Sequence, residues 1–167
     1  MAINCKKSCC IRIGPRCDVT CATVLSKKGN RILRMKEMRY LGIYIVNSRL
    51  FKCNLHYVKR NFYRSANAIF GRIGKLSSEE VILQLIKSKC VPMLIYGLEV
   101  CPLRNSDLKA LDFVVDRFFM KLFQTCNIEI IRLAQQMFNF LLPSELIEKR
   151  ANKFLPACYN WLILSLI

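Results

Sequence analysis

From Leu55 the apolar residues Leu55, Val58, Phe62, Ala66, Ile69 and Ile73 recur at three- and four-residue intervals, which places them on one face of an α-helix. At ~100° per residue the opposite face carries Tyr57, Arg60, Arg64, Asn67 and Lys75, with Lys59 on the flank of the apolar stripe. Upstream the pattern changes. Tyr40, Leu41, Ile43, Tyr44, Ile45 and Val46 are aromatic, β-branched or aliphatic, so Arg39 to Val46 reads as a strand with Gly42 at a bulge or a close backbone approach. Two further strands are expected, the opening segment as far as Gly14-Pro15 and Val19 to Leu25. Lys27-Lys28-Gly29-Asn30 then makes a turn into Arg31 to Met35. Together these form a small antiparallel meander whose polar face carries several of Lys7, Arg12, Arg34 and Arg39.

The rest of the chain has helical periodicity. Ser77 and Glu80 stand at capping-box spacing before a helix that runs through Val81, Leu85 and Ile86, and Pro92 kinks or restarts it. Met93-Leu94-Ile95-Tyr96-Gly97 is apolar on all sides and is expected to be buried. Asn105-Ser106-Asp107 caps a helix with the seam Leu108, Leu111, Val115, Phe118 and Leu122, and helical segments follow over residues 128–141 and 143–154. The fold class is α+β, a small antiparallel sheet or hairpins followed by a mostly helical bundle.

Charge sharpens this picture. The formal net charge is +16, and residues 1–75 hold 17 Lys and Arg against 2 acids, while residues 76–167 hold 10 against 9. No acidic residue stands between Glu37 and Glu79, so the polar face of the 55–73 helix cannot form the i,i+4 ion pairs of an ordinary solvated face. An anionic partner is implied. Nucleic acid suits many separated cations, whereas a membrane surface also wants an exposed apolar face, and no membrane partner is expected.

The apolar runs Val91–Ile95 and Trp161–Ile167 fall short of the ~20 residues that span a bilayer. The N-terminus has no charged region followed by an apolar one. The ten cysteines therefore fit a reduced, intracellular chain better than a secreted disulfide scaffold. Cys5, Cys9, Cys10, Cys17 and Cys21 cluster in sequence, but their spacing inside strand-like segments does not suit a zinc knuckle, and no metal site is expected.

Three blocks in this order resemble the C-terminal part of the reverse transcriptase of a non-LTR (LINE-type) retrotransposon. They are Asn4-Cys5-Lys6-Lys7-Ser8, Arg39-Tyr40-Leu41-Gly42-Ile43 and Pro92-Met93-Leu94-Ile95-Tyr96-Gly97. The resemblance covers about residues 1–125. It implies the end of the palm with a primer-grip-like hairpin over 1–50, a thumb-like helical region over 51–125 and a helical tail over 126–167. By the same likeness Lys7 borders the incoming nucleotide, and Tyr40, Leu41 and Gly42 approach the primer end. Arg39, Lys59, Arg60, Arg64 and Lys75 contact the backbone of an RNA/DNA primer–template duplex.

The chain departs from the family where chemistry is concerned. Polymerisation uses carboxylates to hold two metal ions, and the family takes them from an upstream block and a Phe/Tyr-Ala-Asp-Asp loop. Neither block is present, and the four aspartates Asp18, Asp107, Asp112 and Asp116 are never adjacent. Asp112 and Asp116 read as a solvated i,i+4 helix pair. The chain is thus expected to be a truncated or decayed reading frame, a polymerase fragment that retains primer–template contacts. Mg²⁺ would be held by the missing upstream palm, which with the fingers would be its partner, and no cofactor is expected in this chain. The alternative is an independent basic nucleic-acid-binding or scaffold module.

Overall fold

A computed structural model describes residue 4 and residues 7–74 and 76–164, with side chains through Phe154. The chain forms two compact units, Met1–Leu55 and His56–Ile167. The fold is α+β, as the sequence pattern predicts.

The first unit is held by short ladders. β1 (Cys9–Cys10) pairs in parallel with β2 (Leu33–Arg34), and β3 (Glu37–Tyr40) pairs antiparallel with β4 (Ile43–Val46). The expected continuous meander is therefore broken into two pairs, one of them parallel. Val19 to Leu25 is not a strand. Val19, Val24 and Leu25 are exposed, and only Leu25 makes a bridge, to Arg31, so the β-prone residues have no sheet face to pack on.

Arg39 to Val46 is a hairpin rather than one strand. Leu41 and Gly42 both have positive φ, at 46° and 88°, the requirement of a two-residue type I′ turn whose twist matches the strands it joins. Residues 52–54 extend the β4 edge, with Val46 N–H donating to Lys52 O and Asn54 N–H to Tyr44 O. Asn54 Nδ2 donates to Glu37 Oε1 at 2.7 Å across the same patch. Apolar burial is slight, with Cys17, Cys53 and Leu55 the buried residues among those described in this unit.

The second unit is helical. α1 (His56–Ile73) buries Phe62 and Ala66 fully and half-buries Val58, Ile69 and Ile73, which is the stripe read from the sequence. α2 (Glu79–Leu85) begins after Ser78, whose side chain makes no capping bond, so the Ser77/Glu80 box does not form. A π-turn (Ile86–Cys90) leads into α3 (Val91–Ile95), with Val91 N–H donating to Ile86 O five residues back. Pro92 has no N–H to give and its ring crowds the carbonyl four residues earlier, and a widened turn before it relieves both problems.

Leu94 and Ile95 are buried as expected, but Met93 and Tyr96 are not: they are 45% and 59% exposed. A short helix one turn off the core face cannot bury all sides at once. Gly97, at φ 69°, ends it before a 3₁₀ turn at Leu98–Val100. The whole segment Glu79–Val100 is long and apolar enough to cross a membrane by length and composition, which the separate apolar runs in the sequence did not suggest. Here it packs in the core against α1, and the exposed Lys87 and Lys89 fall at its middle, where each would cost about 2.5–3.5 kcal/mol in a bilayer.

α4 (Asn105–Phe123) contains Asn105, Ser106 and Asp107 as its first residues, and Asp107 accepts from the Arg104 N–H at 3.2 Å. Its seam buries Leu111, Val115 and Phe118 with Val114 and Phe119 beside them. α5 (Ile128–Met137) starts on Asn127, whose side chain accepts from Glu129 N–H, and ends sooner than expected because Asn139 turns left-handed. α6 (Pro143–Leu164) runs ten residues beyond the expected end. Phe140 packs edge-on against Phe119, centroids 5.1 Å apart, and ties the α5–α6 connection to α4.

Candidate nucleic-acid interface

The basic face of α1 is built by the burial of its other face. With Phe62 and Ala66 in the core, Arg60 and Arg64 are exposed one turn apart, Lys59 is half-buried on the flank, and Asn67 continues the exposed row. α4 lies beside α1 and offers an exposed stripe at four-residue spacing, Phe113, Arg117 and Lys121. Between the helices is an open groove of about 400 Å³ lined by Tyr63, Ala66, Asn67, Arg117, Phe118 and Lys121.

The groove's cations are oriented by aromatic and amide partners. The Arg117 guanidinium lies 6.0 Å from the Tyr63 ring centroid, and the Lys121 ammonium lies 4.8 Å from that of Phe70. Lys121 Nζ also donates to Asn67 Oδ1 at 2.9 Å. Cation–π contact of this kind holds a long side chain in place while leaving its charge unneutralised. α1 itself carries no carboxylate, and the two aspartates of α4 that flank Phe113 and Arg117 are turned to structural use. Asp112 Oδ1 accepts from Ser144 N–H at 2.9 Å at the start of α6, and Asp116 Oδ1 accepts from the buried Gln135 Nε2 at 2.8 Å. They are not the solvated i,i+4 pair expected from spacing.

Apart from Lys75, the other sequence-predicted residues lie in the first unit. Arg39, Tyr40, Leu41 and Gly42 come together at the tip of the β3–β4 hairpin, all exposed, with the Arg39 guanidinium 5.9 Å from the Tyr44 ring centroid. Lys7 is exposed in a turn before β1, on the other strand pair, its N–H donating to Asn4 O. Lys75 lies outside the described residues, as do Cys5 and Lys6 of the first block. Tyr63, Arg117 and Lys121 escaped sequence reasoning, because Asn67 and Lys121 are 54 residues apart and only helix packing unites them.

The family implied by the resemblance uses Mg²⁺ held by carboxylates, and the three helical aspartates do not fit that task. Asp107, Asp112 and Asp116 each have an oxygen committed to a backbone or buried amide donor, and among the described residues no three His, Cys, Asp or Glu side chains group as a metal site. Six cysteines among the described residues, Cys9, Cys10, Cys17, Cys21, Cys90 and Cys126, are free thiols. Comparison with protein-family models, with curated proteins and with solved structures finds no match.

Proposed function

We propose that this chain is the primer–template-contacting part of a retrotransposon RNA-directed DNA polymerase, holding nucleic acid by its phosphate backbone and carrying no catalytic centre. The observation that supports this best is the row of unneutralised cations, Arg60, Arg64, Arg117 and Lys121, on the neighbouring helices α1 and α4. Such a surface binds phosphates at separated points and reads no base sequence. The exposed β3–β4 tip, with Tyr40, Leu41 and Gly42, suits the primer-end role that the resemblance gives it. Leu33, Leu41 and Leu50, 60–80% exposed in the first unit, suit a surface covered by an upstream palm.

Replacing Arg60 and Arg64 together by Ala tests the reading. Binding should weaken about equally for all duplex sequences, and the slope of log K against log salt should fall by roughly 1.5, since each phosphate contact contributes ~0.7–0.9. Salt-titrated fluorescence anisotropy measures both. An unchanged slope would remove α1 from the interface. The alternative, an independent basic module, is favoured by the second unit's own closed core around Phe62, Leu94 and Phe119. A duplex with a recessed 3′ end should bind more tightly than a blunt one if the polymerase reading holds, and equally if the module reading does.

Catalytic silence is a second expected result. With poly(rA)/oligo(dT), deoxynucleotides and Mg²⁺, the purified chain should extend no primer, because its helical aspartates are spent on structural hydrogen bonds. Template-dependent extension above a buffer control contradicts this.

A further inference from the structure

The first unit gathers two thiols and two guanidinium groups that backbone binding does not use. The parallel register of β1 and β2 sets Cys10 opposite Arg34. Cys10 is half-buried and donates its thiol to Leu33 O at 3.6 Å. Arg34 Nη2 donates to the sulfur of the exposed Cys21. Cys10, Cys21 and Arg34 share the wall of one cavity. Its volume is about 100 Å³, and its wall also includes Thr23 and Arg31. Neither cysteine is in a disulfide.

We propose that Cys10 and Cys21 form a thiol–disulfide exchange site that takes an anionic low-molecular-weight disulfide, of which oxidised glutathione is the representative. Cys21, the exposed thiol, is the entry point. Its sulfur attacks one sulfur of the glutathione disulfide, the glutathione S–S bond breaks, and the proton of Cys21 leaves with the released glutathione thiol. A mixed disulfide then stands on Cys21. Cys10 attacks the Cys21 sulfur, expels the second glutathione with its own proton, and closes the Cys10–Cys21 bond. The pair loses two electrons and two protons in all, and one disulfide becomes two thiols.

Arg34 bonds the Cys21 sulfur and lines the same cavity as Cys10, so its charge opposes the negative charge that develops there, while Arg31 and Arg34 can pair with the glutathione carboxylates. Contact with the Cys21 sulfur also holds the Arg34 guanidinium above its ordinary value, so the cation persists wherever a thiolate forms. Cys21 lies outside any strand ladder, in a segment tied down at Val24 O by the Ile32 N–H, and lines the same cavity as Cys10. Cys90 is the internal contrast: it is buried in the helical core, and burial pushes its thiol up.

The test treats the full chain with oxidised glutathione, blocks remaining thiols with iodoacetamide and maps peptides by mass. The expected product is a Cys10–Cys21 cross-linked peptide, and Cys10→Ser should instead accumulate glutathione on Cys21. Arg34→Gln should slow reaction at Cys21 several-fold relative to the exposed Cys126, yet leave its rate with the uncharged hydroxyethyl disulfide unchanged. Circular dichroism checks that this variant folds, and the Cys10→Ser arm decides the matter if it does not. Glutathione spread evenly over Cys9, Cys21 and Cys126 without a Cys10–Cys21 link overturns the proposal. An Arg34→Gln rate unchanged for both disulfides overturns the part played by the guanidinium.

Discussion

Phe62→Ala should lower the stability of the helical unit by about 3–5 kcal/mol, the usual range for emptying a buried aromatic site. Phe62 is 0% exposed, and α1 contacts α2, the π-turn, α3 and α4, so little of the surroundings can collapse into the space. Domains of this size are stable by only about 5–15 kcal/mol, which makes the loss a large share of the whole. Phe62→Leu keeps most of the volume and should cost about 1–1.5 kcal/mol. Urea melts followed by circular dichroism measure both changes. The salt slope of nucleic-acid binding should stay as in the parent chain, because Phe62 points away from Arg60 and Arg64. A loss below about 1 kcal/mol for Phe62→Ala would mean that α1 does not pack as described.

Asp112→Ala and Asp116→Ala combined should cost about 2–5 kcal/mol, since each change strands a donor in a part-buried hydrogen bond. Gln135, only 7% exposed, loses the oxygen bonded to its Nε2, and the Ser144 N–H loses its acceptor in the first turn of α6. The Asp112 carboxylate also faces the positive end of that helix, worth roughly 0.3–1 kcal/mol. Asn at both positions keeps an acceptor oxygen and should cost clearly less. The losses should be the same with and without Mg²⁺ in the melt. A stabilisation by Mg²⁺ that vanishes in the Asn variants would instead make the two carboxylates metal ligands.

The helical half was readable because each helix has one wet face and one dry one. Phe62 and Ala66 on α1, and Leu111, Val115 and Phe118 on α4, fall where a 3.6-residue period puts them. The first unit was harder to read. Val19, Val24 and Leu25 look like a strand, but strand propensity expresses a fit to a half-buried pleated surface, and no such surface forms around them. Leu41 hid the hairpin turn, because a leucine with positive φ is strained and no turn preference announces it.

The interface was half legible for a different reason. A lone helix reveals its own cations, Arg60 and Arg64, but Arg117 joins them only when α4 is laid beside α1 and its guanidinium meets the Tyr63 ring. The thiol pair depends in the same way on strand register, Cys10 opposite Arg34, which short ladders leave weakly encoded.

The widened turn at Ile86–Cys90 acts on the helix as an extra tooth acts on a gear. Ile82, Ile86, Cys90, Leu94 and Leu98 are all buried and recur every fourth residue, a repeat that drifts by about 40° per step around an ordinary α-helix. The extra residue absorbs part of that drift, so both halves of the rod mesh with the same core. Removing one of Lys87, Ser88 or Lys89 would let this five-residue turn close to an ordinary α-turn. Because the wide turn already lags α geometry by nearly one residue's rotation, Leu94 and Ile95 would still face the core. What the extra residue supplies is room for Pro92, whose ring would meet the carbonyl four residues back once the turn closed.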